Sequence, residues 1–220
     1  MTIKRWIGVT VLLGLFWLFR SFLPFMFFSD AGIEVILNVP ASVKQPTIYT
    51  TYKSFSCDYL SLYDLSWQSQ KMHNPFETNK MSETQYKVKI PYSDHSPCSW
   101  RLQSLGWSLD LKDASIIDPR VPAENGGGAG IGIKIVYEPE NWLNLYQDGV
   151  FVIDDEIIPR ISNYVGPHHP NVHVEPEFKI FLNGRYDRKK LEYGTRDSNG
   201  HEKIIYNATI NLDKLIDESE

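Results

Sequence analysis

Residues 125–137 read NGGGAGIGIKIVY, and the fold class turns on whether this stretch is a phosphate loop or a strand. A phosphate loop places its glycines between a strand and a helix, so that free backbone N–H groups and the helix N-terminus face the anion. Here no frame fits G-x-G-x-x-G and no G-K-[ST] follows. Instead Ile131, Ile133, Ile135 and Tyr137 alternate with Gly130, Gly132, Lys134 and Val136. A period of two is a strand with one buried face. The glycines therefore lead into a strand, and Gly130 and Gly132 mark a place where another backbone or a ligand comes close.

The same period recurs on both sides. Tyr86, Val88 and Ile90 alternate with Gln85, Lys87 and Lys89, and Gly32 to Val39 and Thr47 to Tyr52 read as earlier β-branched strands. In CSWRLQSLGWSLDL, residues 98–111, the apolar set changes phase: Cys98, Trp100 and Leu102 are even, whereas Leu105, Trp107, Leu109 and Leu111 are odd. A strand whose buried face slips by one residue carries an extra one, which predicts a β-bulge near Ser104 to Gly106. Downstream, strands are expected at 150–153, at Phe178 to Leu182 closed by an Asn183-Gly184 hairpin turn, and at Ile204 to Leu212. Residues 57–84 lack periodicity and read as a long loop. Short strands separated by turn residues, with little helix, predict an all-β fold, an immunoglobulin-like or related β-sandwich. The immunoglobulin family itself is not carried over, because its tryptophan lies between the two cysteines and Trp100 follows both.

The 220-residue chain opens with Lys4 and Arg5, an apolar run over residues 6–28 interrupted by Arg20, and then polar Ser29 and Asp30. As a helix that run is about 35 Å long, enough to cross a bilayer. Residues 1–31 are thus expected to be a membrane anchor, with a signal segment cleaved before Gly32 as the alternative. Residues 32–220 form the domain. The basic flank puts the N-terminus in the cytoplasm and the bulk outside, facing the periplasm from the inner membrane if the cell is bacterial. In that oxidising compartment the only two cysteines, Cys57 and Cys98, are expected to form a disulfide.

Net charge narrows the partners. The chain carries −5, and the part beyond residue 31 holds 19 basic and 26 acidic side chains, a balance of −7, which argues against nucleic acid. No G-x-S-x-G is present, and Asp154, Asp155 and Glu156 read as a solvated turn, so no catalytic residue is assigned. A metal reading rests on His168, His169, His173 and Glu175, whose nitrogen and oxygen donors suit zinc although their spacing matches no zinc motif. Trp100 and Trp107 belong to the alternating core, whereas Tyr59, Tyr63 and Trp67 in CDYLSLYDLSW are candidates for an exposed partner-binding patch. The expectation is a non-enzymatic, membrane-anchored, extracytoplasmic domain that binds a protein and needs no cofactor. It would be an immunity protein neutralising a secreted toxin or an accessory subunit of an envelope assembly. The alternative is a metal-binding protein or metal-dependent hydrolase using the cluster at 168–177.

Overall fold

The computed structural model describes residues 11–14, 28–137, 149–164, 177–184, 191–195 and 202–218. Among the described residues, thirteen strands join in one hydrogen-bonded sheet. In chain order they are β1 (Gly32–Asn38), β2 (Thr47–Ser61), β3 (Ser66–Glu77), β4 (Asn79–Lys80), β5 (Gln85–Pro91), β6 (Ser93–Asp94) and β7 (Trp100–Asp110). Then follow β8 (Gly126–Tyr137), β9 (Val150–Tyr164), β10 (Glu177–Gly184), β11 (Leu191–Thr195), β12 (Lys203–Ile210) and β13 (Ile216–Asp217).

The sheet curls until its two ends pack against each other. One half runs β3-β2-β7-β8, the other β10-β9-β12-β1-β5-β4. Two short stitches join them. On one side, β8 lends only Gly126 and Gly127 to β10 before turning to β11. On the other, the chain running into β1 pairs with the continuation of β5, and β6 then passes to β7 through Ser93↔Arg101 and Asp94↔Trp100. Between the halves, Trp107 meets Tyr206 edge-on at 5.1 Å, Phe151 stacks on Tyr193 at 6.1 Å, and the buried Tyr52 hydroxyl donates to the Pro91 carbonyl at 2.9 Å. Ile33, Val35 and Leu37 from β1, Leu102, Leu105, Trp107 and Leu109 from β7, and Ile131, Ile133 and Ile135 from β8 fill the space between.

The all-β expectation is met, with a difference in pairing. β1 lies parallel to β12, β12 to β9, and β8 to β10 and β11, unlike the antiparallel sheets of an immunoglobulin sandwich. The residues at 125–137 form β8, as their alternation requires. The phase slip in β7 is a bulge one residue earlier than expected, because Thr51 faces Ser104 while Tyr52 faces Leu102, leaving Gln103 extra. Here β7 also changes neighbours, pairing with β8 from Ser104 onward and with β6 at Trp100 and Arg101. A bulge adds local twist, and this one bends β7 around to close the curl.

Four expectations need correction. Residues 57–84 are not a loop: β2 continues to Ser61 and returns as β3. Asp154 to Glu156 are not a turn but the middle of β9, whose alternation buries Asp155 beneath the Tyr206 hydroxyl, 2.9 Å away, and sends its neighbours outward. Asn183 and Gly184 make no hairpin, since both pair with β9 and the next strand, β11, pairs with β8. Gly184 is needed because a Cβ there would stand 2.5 Å from the Asp155 carboxylate. Lastly, sheet hydrogen bonding begins before Gly32: Phe28 bridges to Asp94, and its ring packs 6.0 Å from Phe76. Among the described residues no helix is long and apolar enough to cross a membrane. The expected anchor at 6–28 falls largely outside them.

Candidate functional site

The feature that stands out is the far end of the β2–β3 hairpin. β7 supports β2 only as far as Ser54, which pairs with Trp100. Phe55 and Ser56 still bond to the Cys98 and Pro97 carbonyls, and beyond Cys57 the two strands pair, among the described residues, only with each other. Two-stranded ribbons are marginal in water, so something must hold the base. The register supplies it: between Lys53 and Asp58, β2 carries four residues against Gln70 alone, and the bulged Cys57 is bonded to Cys98, Cα to Cα 5.1 Å apart. Ser54 organises this knot. Its hydroxyl donates to the Cys98 carbonyl at 2.8 Å and accepts the Cys57 N–H at 2.7 Å. The Arg101 guanidinium lies over the exposed Phe55 ring at 4.7 Å. The expected disulfide is therefore present, and it clamps the ribbon to the body.

Outside the clamp the ribbon carries apolar side chains into solvent. Relative exposure is 45% at Tyr59, 83% at Leu62, 101% at Tyr63, 75% at Leu65 and 74% at Trp67. The three aromatic candidates thus share one hairpin but not one face. Tyr59 pairs with Gln68, and its hydroxyl donates to the Gln68 side chain at 3.0 Å; Trp67 pairs with Leu60 on the opposite face, and Tyr63 crowns the turn. Leu60, Leu62 and Leu65, which sequence reading left unassigned, complete the apolar surface. Their only signal was the density of leucine in LSLYDLSW.

The turn itself is braced. Asp64 accepts from the Ser66 N–H at 3.3 Å and from Gln68 Nε2 at 3.0 Å. Hydrogen bonds from Ser61, Ser66 and Gln68 pull its carboxyl down to about 2, so it stays ionised at any ordinary pH. Leu65 holds φ at +51°, a region where leucine is an outlier.

The other candidates separate. His168, His169, His173 and Glu175 lie outside the described residues, and among the described residues no group of three metal-ligating side chains occurs. Asp154, Asp155 and Glu156 do not converge. Asp154 accepts from Asn207, Asp155 from Tyr206, and Glu156 from Asn211 and Lys214. Gly132 forms the floor of a shallow groove of about 740 Å³ between Tyr49 and the Lys134–Glu192 ion pair. No atom comes within 4 Å of the place its Cβ would take. The close backbone approach expected at Gly130 and Gly132 occurs across the strand pair instead, at Gly106, whose Cβ would lie 2.5 Å from the Ile131 carbonyl oxygen. No family model, curated protein or solved structure matches the chain.

Proposed function

We propose that the chain is a non-catalytic protein-binding domain tethered to a membrane by residues 6–28, with its N-terminus in the cytoplasm and its sheet on the extracytoplasmic side. In a bacterium that side is the periplasm. The observation that carries this reading is the clamped ribbon, which holds Tyr59, Tyr63 and Trp67 in water although none contributes to the core. Large aromatics exposed on a stiff support are costly to solubility and are the residues on which interfaces concentrate their binding energy. The disulfide agrees with an oxidising compartment. The tip also stands clear of the tether: Phe28 packs on Phe76, and Ser66 lies about 30 Å further along β3. A tethered binder with this layout suits toxin neutralisation as an immunity protein, or service as an accessory subunit of an envelope assembly.

The test is affinity capture of the tagged, full-length chain from its own membrane, with mass spectrometry of everything retained and metal analysis of the bait. One stoichiometric partner is expected, with capture lost in the Tyr59→Ser, Tyr63→Ser, Trp67→Ser triple variant. The identity of that partner separates toxin neutralisation from envelope assembly. Capture unchanged by the triple substitution overturns the reading, as does a bait that holds zinc and no protein.

A further inference from the structure

We propose that one face of the β2–β3 ribbon is a docking strip, apolar at the tip and cationic at the base, that takes a flat apolar patch bordered by carboxylates on the partner protein. This rests on the protein-binding reading and says what kind of surface the partner must offer.

Register places the strip. Residues directly opposite each other across a strand pair share a face, as do alternate residues along a strand. Along β3, Trp67, Ser69 and Lys71 therefore share one face, with Leu60, Asp58 and Lys53 opposite them on β2. Leu62 and Leu65 extend the apolar end into the turn. The bulge in β2 leaves the strip unbroken, because Lys53 and Asp58, on either side of it, face Lys71 and Ser69. The reverse face is polar: Tyr59 is bonded to Gln68 beside Ser61 and Ser66, and the Asp64 carboxylate bonds back to Gln68 and the Ser66 N–H. A ribbon with one apolar and one polar face suits a flat surface, since its other side stays in water. The Cys57–Cys98 bond within the bulge holds the strip in shape before any encounter, which lowers the ordering cost of docking.

The base of the strip carries the second observation. Lys71 faces Lys53, and Lys53 faces Arg101 of β7, so cations stand side by side on three neighbouring strands. Like charges placed directly opposite each other are destabilising. The ion pairs among the described residues involve other cations, and Asp58, one pair further out, bridges to none of these three. The Phe55 ring beneath Arg101 holds its guanidinium without cancelling the charge. Beyond residue 31 the chain carries −7, so this row reverses the prevailing sign. Carboxylates on a covering surface relieve the repulsion and fix the register of docking. At the usual rise per residue Lys71 lies about 13 Å from Trp67, which spaces the partner's carboxylates from its apolar patch.

Asp58 selects a protein over a bilayer. It is exposed on the strip between Leu60 and the cations. A continuous layer of anionic headgroups sets like charge against it, whereas a protein can place a hydrogen-bond donor there and carboxylates only further along.

The test places a photo-crosslinker in the full-length chain in its native membrane, as Leu62→p-benzoylphenylalanine on the strip and Tyr59→p-benzoylphenylalanine on the reverse face. The expected adduct at 62 is a single partner peptide with apolar residues and Asp or Glu near them, in much higher yield than at 59. Adding Lys53→Gln and Lys71→Gln together is expected to cut the yield at 62 about fivefold, with the difference shrinking at high salt. Thermal stability should hold or rise, because the repulsion is gone, and Lys53→Arg with Lys71→Arg should keep the yield. Trp67→Ser is expected to cut the yield about tenfold.

Adducts at 59 and not at 62 keep the protein-binding reading and overturn the strip. Adducts at 62 to lipid, or to a second copy of this chain, overturn the stated partner. No protein adduct at either position defeats both readings. A yield indifferent to the paired Lys→Gln change removes the carboxylate border, and a loss of thermal stability in that variant shows that the cations serve the fold.

Discussion

Gly106 and Gly132 face each other across β7 and β8, and substitution by alanine is expected to move stability in opposite directions. At Gly106 the new Cβ would sit 2.5 Å from the Ile131 carbonyl oxygen, about 1 Å inside van der Waals contact. The obstacle is backbone, so β7 and β8 must part locally. Overpacking of that kind costs about 1–3 kcal/mol. At Gly132 the Cβ meets nothing within 4 Å and no left-handed φ is required. There alanine removes conformational freedom from the unfolded chain and gains about 0.5–1 kcal/mol. In a chain of this size each kcal/mol moves Tm by about 2–4 °C. Gly132→Ala should therefore melt about 1–4 °C above the parent, and Gly106→Ala about 2–12 °C below it. Differential scanning calorimetry of both full-length variants in one detergent reads the difference. A shift of the same sign in both, or a Gly132→Ala that melts several degrees low, would refute the account of why each glycine is present.

Three further outcomes follow from the same geometry. Replacing both cysteines by alanine opens a loop with a sequence separation of 41 and should cost about 4 kcal/mol in urea unfolding, with the ribbon at 55–70 becoming the first site of proteolysis. Tyr52 and Tyr206 are pushed well above the ordinary tyrosine value of 10.0 by burial, with the Asp155 charge adding to the shift at Tyr206. Because the fold favours their neutral forms, the stability they bring is lost as pH rises past 10. A 295 nm titration should show them ionising only together with unfolding, and ionisation in the folded chain near pH 10 would contradict their burial. Glu34 is held below its ordinary value of 4.5 chiefly by a hydrogen bond from Lys87, with burial opposing and Lys203 assisting. Its contribution is present above pH 4.5 and lost below, so Glu34→Gln should flatten the acid limb of the stability curve, and an unchanged slope would discount the pair.

How much of this was legible in the sequence depended on burial. β5, β7, β8 and β12 each bury one face, and their period of two is plain in the residues. β3 was missed because it lies at the end of the sheet, where its side chains are exposed or only half-buried and few apolar residues mark its period of two. The middle of β9 was missed because Asp155 puts a carboxylate where the pattern calls for an apolar group, a burial supported by the Tyr206 hydroxyl from distant β12. The parallel neighbours of β8 and β12 are set by side chains packing across the curl, and no local run of residues encodes them. The site was legible by halves. Its aromatics and its disulfide could be read from residue type and compartment. The ribbon that presents them could not, because beyond Cys57 there is no core to impose alternation.

The bulge at Gln103 turns an apparent flaw into the device that shuts the molecule. Removing that single residue would leave Leu102, Ser104 and Leu105 in unbroken alternation, a more regular β-strand on paper. It would also take away the bend by which β7 leaves β8 and reaches β6. A chain tidied in this way would have the better pattern and an open seam along its core, so here the departure from regularity is what makes a sheet into an enclosure.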